Sequence, residues 1–442
     1  MNKKVALHTL GCKLNFSETS TIGKQFLDRG FEVVNFKNSA DVYLINTCTV
    51  TENAARECRQ IVRRALRQNP EAHIIVTGCY AQLSPGDITG IEGVDTILGN
   101  NEKFKLFSLI DNFNKRELSC TFVSPTNQLN EFGAAYSTDA DSRTRAFLKI
   151  QDGCDYKCTF CTIPLARGKS RSMNPKDVLE EFKSLVNLGY KEIILTGVNV
   201  GDYGKYIGSN LFPLLKKMIN VPGKFRIRIS SIEPNLLTDD IISLTADNEK
   251  MCKHFHIPLQ SGSNEILKLM QRRYTADFYY KLINKLKNKI SDVGIGVDVI
   301  VGTPGETEEK FNETKKFLVD LPISYLHVFT YSERPNTKAI ELSGTVDKVE
   351  RKRRNKVLRI LSERKKQIFY NEMLNKELEV LFESDNTTKT IKGFSSNYVR
   401  VEKYYEHELV NNFCNIKITE ANSEICKGKI IGKNIPVDLH IR

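Results

Sequence analysis

The sequence predicts an α/β protein in three parts: an open parallel sheet at the N-terminus, a partly closed six-stranded parallel barrel, and a small C-terminal antiparallel β-barrel. Apolar strand-like runs alternate with amphipathic helical stretches over most of the chain, which favours parallel pairing through helical crossovers. From residue 145 the alternation supplies six strands, fewer than the eight of a full barrel. The last 66 residues change to short alternating runs separated by Gly and Asn, which is typical of antiparallel strands.

The composition of the 442 residues is that of a soluble chain, with 40% apolar and 27% charged residues. No run of 18 uncharged apolar residues occurs, which excludes a membrane span. The apolar stretch before His8 is too short for a secretory signal, so we expect a cytoplasmic protein. The 65 basic residues outnumber 53 acidic ones. This excess favours a polyanionic partner, the alternative being a solvated basic surface.

The first part of the chain, residues 1–115, contains strands that each lead to a cysteine. The runs KVALHT, DVYLIN and HIIVTG are predicted strands, and a cysteine follows each of them within a few residues. Asn15 with Glu18 three residues later is interpreted as a capping box for a helix that stops at Gly30. Residues 116–139 have few apolar positions and many Asn, Ser and Thr residues, so we expect an irregular linker there.

The middle part, residues 140–372, contains the predicted barrel and ends in a basic helix. Residues 348–376 include eleven basic and three acidic residues, a net charge of +8. Such a helix is suited to phosphate contact, although the same charges could simply keep a connecting helix solvated. The tail, residues 373–442, is the predicted antiparallel barrel. Its Tyr398 and Tyr404 are available for base stacking, with aromatic core as the alternative for Tyr398.

Three cysteines lie close together after the first predicted barrel strand. Cys154, Cys158 and Cys161 have the spacing C-x3-C-x2-C, which chance explains poorly in a chain with eleven cysteines. Three thiolates in one loop can hold three corners of an iron–sulfur cubane and leave one iron open. Zinc is the competing occupant, but structural zinc takes four protein ligands, and no fourth Cys or His lies nearby in sequence.

A second set of cysteines, Cys12, Cys48 and Cys79, is dispersed in sequence. Because the carboxyl ends of parallel strands share one edge of a sheet, these thiols are candidates to meet around a second cluster. The alternative is three ordinary buried cysteines. Because the chain also contains the first set, we interpret them as an auxiliary iron–sulfur site. The seven histidines show no metal-ligand spacing, and we assign His254 and His256, which alternate in a strand, to packing.

The three-cysteine loop and the barrel after it, up to about Ser343, resemble the radical S-adenosylmethionine (SAM) superfamily. The resemblance implies that the open iron chelates SAM, and that one-electron reduction yields a 5′-deoxyadenosyl radical. It also implies that the SAM cleft is lined by Thr196, Gly197, Glu233, Gln260 and Ser261. The phrases SSIEP and LQSGS, which contain the last three, would otherwise be turns and helix caps.

Both cysteine sets together resemble the methylthiotransferase family over nearly the whole chain. The phrases TLGCKLN, INTCTVTENA, TGCYAQ, IQDGCDYKCTFCTIPLARG and DVIVGTPGE are similar to that family's signatures and stand in its order. The C-terminal residues resemble its TRAM domain, a small RNA-binding β-barrel. HTLGCKLN and LTGVNVGDYG are most similar to the branch that modifies N6-threonylcarbamoyladenosine in tRNA. The branches acting on isopentenyladenosine or on a ribosomal-protein aspartate are less similar.

The resemblance implies a tRNA-modifying enzyme that replaces the C–H bond at C2 of adenosine 37 with a methylthio group. It implies two [4Fe-4S] clusters and two uses of SAM, as methyl donor and as radical source, with the sulfur carried at the auxiliary set. A one-electron reductant of the flavodoxin kind and a sulfur donor are also required. We expect the basic helix to contact tRNA phosphates through Arg351, Arg353, Arg354 and Lys356.

Other assignments remain open from the sequence. Arg167, Lys169 and Arg171 follow the cluster loop and are candidates to contact a substrate carboxylate or a phosphate, a solvated loop being the alternative. A different radical SAM reaction, with the N-terminal cluster serving electron transfer alone, would use the same cysteines. An iron–sulfur RNA-binding sensor is the non-enzyme alternative, but a sensor does not need an open iron.

Overall fold

The fold is that of a computed structural model, which describes residues 2–49, 54–138, 144–383 and 389–431. The end of the INTCTVTENA phrase, residues 50–53, and the last eleven residues of the tail lie outside these ranges. Among the described helices, none combines the length and apolar character needed to cross a membrane.

The N-terminal part is an open sheet of six parallel strands with helices on both faces. The strand order is β2-β1-β3-β4-β5-β6. Its elements are β1 (Lys4–Thr9), α1 (Lys13–Leu27), β2 (Glu32–Val34), β3 (Val42–Thr47), α2 (Ala54–Gln68), β4 (His73–Gly78), α3 (Cys79–Leu83), α4 (Pro85–Thr89), β5 (Thr96–Leu98), α5 (Leu106–Leu109) and β6 (Cys120–Phe122).

The central strands of this sheet are buried on both faces. Every residue of β3 and β4 is buried, which is the pattern of a parallel sheet covered on two sides. Val42 and Leu44 pack in the core that contains α1, whereas Tyr43 and Ile45 pack in the core that contains α2. The predicted strands KVALHT, DVYLIN and HIIVTG are therefore confirmed.

Two expectations for this part are corrected. The helix α1 begins at Lys13 with Cys12 as its N-cap, so Asn15 and Glu18 lie inside the helix and form no capping box. The Asn15 amide instead donates to the main-chain oxygens of Leu10 at 2.9 Å and Thr47 at 3.0 Å. The expected linker at 116–139 is partly regular, because β6 pairs with β5 as the outer strand of the sheet.

The middle part is a partial barrel of six parallel strands in the order β8-β11-β12-β13-β14-β15. Bridges at Ile227–Met251 and Ser231–His256 join its two halves, and β7 adds antiparallel to β8 at the edge. Its elements are β7 (Tyr136–Thr138), β8 (Arg145–Lys149), β9 (Gln151–Asp152), α6 (Ile163–Arg167), β10 (Arg171–Ser172), α7 (Pro175–Asn187), β11 (Glu192–Thr196), α8 (Leu211–Ile219), β12 (Arg226–Ile229), α9 (Asp239–Asp247), β13 (His254–His256), α10 (Asn264–Leu269), α11 (Ala276–Lys289), β14 (Gly294–Val301), α12 (Glu308–Asp320), β15 (Tyr325–Thr330) and α13 (Lys348–Asn371). The six predicted strands are thus confirmed.

The tail is a closed five-stranded barrel in the order β16-β17-β18-β20-β19. The pairings are antiparallel except for β18 with β20, which pair in parallel, a departure from the wholly antiparallel barrel expected. Its strands are β16 (Glu377–Glu383), β17 (Thr390–Ser395), β18 (Arg400–Tyr404), β19 (Phe413–Ala421) and β20 (Cys426–Ile430).

The tail barrel covers the amino ends of the parallel strands. Glu192 at the start of β11 is buried between Arg226 at 2.5 Å and Arg228 at 2.8 Å. Arg226 donates to the main-chain oxygen of Phe394 at 2.8 Å, and Arg228 donates to that of Ser395 at 3.2 Å. Each arginine therefore pairs with the barrel and with the tail at once, and the carboxyl ends of the strands face the other way.

Tyr398 of the tail lies in this interface and not on an RNA-binding surface. Its ring stacks on His254 with centroids 4.5 Å apart and on Phe394 at 4.7 Å. The aromatic-core alternative is therefore the correct one for Tyr398. Tyr404, at the end of β18, is 80% exposed.

We expect Gly78→Ala to destabilise the N-terminal sheet. Gly78 has φ +98°, and a Cβ there would lie 2.3 Å from the Thr47 main-chain oxygen. Strain and clash together predict a loss of about 2 kcal/mol or more in the free energy of unfolding, measured by urea titration. Gly86→Ala in α4, where a Cβ meets nothing within 4 Å, is the control and should be neutral or stabilising by up to about 1 kcal/mol. Equal effects of the two changes would contradict this account.

Candidate active site between two cysteine sets

The loop carrying Cys154, Cys158 and Cys161 is fixed at both ends by main-chain hydrogen bonds. The Cys154 N–H donates to the oxygen of Gly168 at 3.0 Å, and the Cys161 N–H donates to that of Cys158 at 3.1 Å. Helix α6 then begins with Thr162 as its N-cap. Burial raises the pKa of the Cys154 and Cys161 thiols to about 12. These thiols therefore need a bound cation to be thiolates at neutral pH.

Arg272 joins this loop to the expected SAM cleft, and nothing in the sequence singled it out. Its guanidinium donates to Cys158 Sγ at 3.1 Å and to Glu233 Oε2 at 2.5 Å. Its Nε also donates to the Tyr274 hydroxyl at 3.0 Å. Glu233 is therefore held by a buried cation that also contacts a cysteine of the loop. No ligand spacing marks an arginine, so only the folded contacts reveal it.

Unpaired polar atoms collect at the carboxyl ends of the barrel strands. Among the described residues, the buried Thr196 Oγ1, Gln260 Oε1 and Thr303 Oγ1 have no hydrogen-bond partner. Gln260 also has φ +69°, which is uncommon outside glycine. Because buried polar groups are normally hydrogen-bonded, these atoms fit a polar ligand such as SAM at this edge.

Two further residues expected in the SAM cleft, Ser261 and Gly197, support neighbouring parts of the protein. Ser261 Oγ lies 3.0 Å from Thr314 Oγ1 and accepts from the Ser263 N–H at 3.2 Å. A Cβ at Gly197 would lie 2.8 Å from Gln151 Oε1, so glycine leaves room for that side chain. Gln151 in turn donates to the main-chain oxygen of Gly153 in the cluster loop.

The second cysteine set meets at one edge of the N-terminal sheet. Cys12 follows β1, Cys48 follows β3 and Cys79 follows β4, and these three strands are neighbours. A Cβ at Gly11 would lie 2.6 Å from Cys48 Sγ, and Cys12 is close enough to Cys79 to affect its ionisation. Burial is the main factor that raises the pKa of Cys79. The dispersed cysteines thus come together as the strand order requires.

The spacing of both sets is wider than a single metal ion requires. Within the described ranges, the one group of three ligating side chains whose atoms all lie within 4.8 Å is His256, Asp298 and His327. Thiolates around one zinc ion would lie about 3.8 Å apart, given tetrahedral Zn–S bonds of about 2.3 Å. The cysteine sets therefore fit multi-iron clusters better than zinc. The packing role assigned to His256 is incomplete, because its ring belongs to a polar group.

A buried ion network joins the two halves of the site. The Glu18 carboxylate of α1 contacts Lys103 at 2.6 Å, Lys149 at 2.9 Å and Arg167 at 2.9 Å. Arg167 also contacts Asp152 at 3.0 Å, and these side chains are almost completely buried. Burial would raise the pKa of Glu18, but Arg167, Lys103 and Lys149 hold it well below its usual value.

The network corrects the expected role of Arg167. Its side chain is about 1% exposed and also donates to Asn15 Oδ1 at 2.7 Å, so it is not free to bind a substrate carboxylate or a phosphate. A second contact links the cysteine sets directly, since Thr49, next to Cys48, lies 2.9 Å from Thr162, next to Cys161, through their hydroxyls. The two sets therefore face each other across a short, buried interface.

Of the four cations expected to bind tRNA, two are buried and two are exposed. Arg351 is buried and bonded to Tyr331 O and Glu333, and Arg354 is buried and paired with Glu306 at 3.0 Å. Their guanidinium groups hold α13 against the barrel, so the expectation of phosphate contact is corrected for both. Arg353 and Lys356 are exposed.

Known protein families and relatives match this chain in both parts of the site. Residues 148–318 match the family described as Radical SAM superfamily, and residues 4–99 match Uncharacterized protein family UPF0004. The chain is 40% identical to threonylcarbamoyladenosine tRNA methylthiotransferase MtaB of Bacillus subtilis (strain 168), over 97% of this chain and 96% of that one. It is 33% identical to tRNA-2-methylthio-N(6)-dimethylallyladenosine synthase of Fusobacterium nucleatum, over 97% and 100%. The chain belongs to the radical SAM methylthiotransferase family, as its motifs predicted.

Solved structures share the fold at low sequence identity. The radical SAM methyltransferase TsrM from Kitasatospora setae superposes with a TM-score of 0.55 at 17% identity, covering 77% of each chain. The cobalamin-dependent radical enzyme OxsB gives a TM-score of 0.51 at 13% identity, covering 77% of this chain and 55% of that one. Both support the arrangement of an N-terminal α/β sheet beside a radical SAM barrel.

We expect Glu18→Gln to lower the free energy of unfolding at pH 7 by about 3–5 kcal/mol, because three buried cations would lose their shared carboxylate. The folded pKa of Glu18 is lowered, so its contribution is present above the unfolded value, about pH 4.3, and is lost as pH falls below it. The difference between wild type and variant in urea titrations should therefore narrow below that pH.

The matched control is Glu131→Gln. Glu131 contacts Lys105 at 2.6 Å, the same length as the Glu18–Lys103 contact, but both side chains are about half exposed. Its loss should change the stability by no more than about 1 kcal/mol. Similar losses for the two variants would mean that the buried network does not stabilise the fold.

Proposed function

We propose that the chain converts N6-threonylcarbamoyladenosine at position 37 of tRNA to its 2-methylthio derivative. The observation that carries this proposal is the placement of two cysteine triplets against each other, joined at Thr49 and Thr162. Methylthiolation needs a sulfur-bearing site beside a radical-forming site, because sulfur and the substrate carbon must meet in one cavity. A single-cluster enzyme would not need the second triplet.

The relatives support the threonylcarbamoyl branch. Four relatives that carry the threonylcarbamoyladenosine name are 34–40% identical to this chain, and four that carry the dimethylallyladenosine name are 31–33% identical. The second candidate is therefore the same chemistry on N6-isopentenyladenosine, with a ribosomal-protein aspartate as a more distant one.

We assign Cys154, Cys158 and Cys161 to a [4Fe-4S] cluster with an open iron, and the auxiliary set to a second cluster. When bound, these groups and SAM supply the hydrogen-abstracting radical, the sulfur and the methyl group. Thr196 and Gln260 offer polar atoms to SAM, and Arg272 keeps Cys158 and Glu233 in position. The reaction also draws on a one-electron reductant and a sulfur donor, and a tRNA substrate places it in the cytoplasm.

The tRNA footprint is assigned to the outward face of α13 and to the tail barrel. Lys348, Lys352, Lys356 and Arg359 are exposed and follow one another at spacings of three to four residues, so they share one face of the helix. A row of cations of this kind follows a phosphate backbone. Among the described residues of the tail, Tyr404 is the most exposed aromatic side chain and is suited to stacking on a base.

Mass spectrometry of tRNA nucleosides from a deletion strain tests the reaction and the branch together. The proposal expects loss of 2-methylthio-N6-threonylcarbamoyladenosine and accumulation of the nucleoside that lacks the methylthio group. Loss of the methylthio derivative of isopentenyladenosine would favour the second candidate. An unchanged nucleoside profile would reject both.

Iron content separates the roles of the two cysteine sets. Anaerobically reconstituted protein should carry about eight irons, because each set holds one cubane. Triple replacement of Cys154, Cys158 and Cys161 by Ala should leave about four irons and abolish SAM cleavage. Triple replacement of the auxiliary set should also leave about four, but lose methylthiolation while SAM cleavage persists. Cys120→Ala is the control and should keep about eight. Loss of SAM cleavage with the auxiliary set alone would mean that the roles are exchanged.

Salt dependence of tRNA binding tests the basic helix. Replacing Lys352, Lys356 and Arg359 by Gln should weaken binding and reduce the slope of log affinity against log salt by roughly one unit per lost contact. The matched control replaces three exposed lysines at a similar helical spacing in α11, namely Lys281, Lys285 and Lys289. If both variants change the slope equally, the effect is one of net charge and the footprint lies elsewhere.

A further inference from the structure

A histidine–aspartate–histidine group lies inside the barrel, and no role described above uses it. It consists of His256 in β13, Asp298 in β14 and His327 in β15. Asp298 Oδ1 lies 2.8 Å from His256 Nε2 and 3.4 Å from His327 Nδ1. The two rings, with centroids 5.1 Å apart, are therefore oriented by one oxygen atom of one carboxylate.

The strand pattern places this group on the inner wall of the barrel. The alternate residues of the same strands, such as Phe255, Val297 and Leu326, pack in the outer hydrophobic core. Since successive side chains of a strand point to opposite faces, the His–Asp–His group faces the interior. The Asp298 main-chain oxygen accepts from the Gln260 N–H at 2.8 Å. The group thus lies next to Gln260, whose buried Oε1 has no hydrogen-bond partner.

Aromatic rings close the barrel beneath this layer. A Cβ at Gly296 would meet the Tyr325 ring at 2.4 Å, so glycine makes room for that ring. The Tyr325 hydroxyl lies 2.9 Å from His254 Nε2, and His254 stacks on Tyr398. The His–Asp–His group is therefore the polar layer between an aromatic floor and the carboxyl-end cleft.

The electrostatics of this layer suit one anionic group. Burial would raise the pKa of Asp298, but hydrogen bonds from His256 and His327 lower it overall, so Asp298 is an ionised carboxylate. A second carboxylate placed against His327 would leave that ring between two anions, an environment that favours its doubly protonated form. Nearby Glu192 is already paired with Arg226 and Arg228, and Lys13, next to Cys12, is within electrostatic reach of His254.

The His327 side chain is the open side of the group. It is 54% exposed, compared with 15% for His256 and 21% for Asp298. Its Nδ1 faces Asp298, so its Nε2, on the other side of the ring, is the atom left to contact a ligand. A ring that donates to a carboxylate through Nδ1 donates through Nε2 only when doubly protonated, and a carboxylate on each side favours that form.

We infer that His256, Asp298 and His327 form the subsite for the carboxylate of the threonylcarbamoyl group, with His327 Nε2–H as its donor and Asp298 as the positioning residue. This inference rests on the proposed function. The threonylcarbamoyl group ends in a carboxylate, whereas the dimethylallyl group of the related substrate is apolar. A dimethylallyl group in this layer would cover His327 Nε2 without offering it a hydrogen-bond partner, which disfavours that substrate. The group is thus a specificity determinant between the two branches.

The test pairs a protein variant with a modified substrate. His327→Phe keeps a ring but removes both nitrogens, and methyl esterification of the threonyl group removes the substrate's charge. For cluster-reconstituted wild-type enzyme, the ester on tRNA should raise KM about 10- to 100-fold, the range expected of one charge-assisted hydrogen bond. His327→Phe should raise KM for unesterified tRNA by a similar factor with a smaller effect on kcat. The ester should then cause little further loss, because the contact is already gone.

Asp298→Asn is the second variant, and its KM should rise in the same direction because both rings lose their shared acceptor. Iron content of about eight confirms that each variant is folded and loaded. If His327→Phe and the ester each raise KM, and the two factors multiply when they are combined, the inference is overturned. A divalent metal found in wild type beyond the cluster irons and lost in His327→Phe would also overturn it, because the group would then be a metal site. Failure of wild-type enzyme to methylthiolate threonylcarbamoyl-tRNA at all would instead reject the proposed function.

Discussion

The Glu18 carboxylate, enclosed by Lys103, Lys149 and Arg167, fixes the two halves of the active site relative to each other. Its three partners come from a short turn after β5 of the N-terminal part, the first barrel strand and the helix after the cluster loop. A buried carboxylate among three cations cannot move without leaving charges unpaired, which costs several kcal/mol. The spacing of the two cysteine sets is therefore determined by an electrostatic contact between parts of the chain that are far apart in sequence.

The features that were predictable from sequence are those with a local pattern. The strands that lead to Cys12, Cys48 and Cys79 are short apolar runs, and parallel order then brings their carboxyl ends to one edge. The three-cysteine loop is compact enough to recognise by spacing alone. Family membership followed from motifs that span these same segments. In each case the information lies within a few residues of the site.

The features that were missed depend on partners distant in sequence. Glu18 matched a capping pattern, yet its partner Arg167 lies 149 residues away. Arg272 has no motif, and the rings of His256 and His327 meet because β13, β14 and β15 are adjacent. Arg351 and Arg354 have the same charge as their exposed neighbours, but helical phase turns them toward acidic residues and carbonyl oxygens. The charges and their spacing along the sequence do not distinguish these buried, paired side chains from exposed ones.

The contact between tail and barrel makes the two inseparable in practice. Arg226 and Arg228 depend on main-chain oxygens of the tail, and the Tyr398 ring completes the floor beneath the polar layer of the barrel. A shortened chain that ends at Asn371 would open the base of the barrel to water and leave Arg226 and Arg228 with Glu192 as their remaining acceptor. The tail barrel, to which we assign part of the tRNA footprint, also closes the base of the parallel barrel, so the two could not be exchanged between relatives as independent parts.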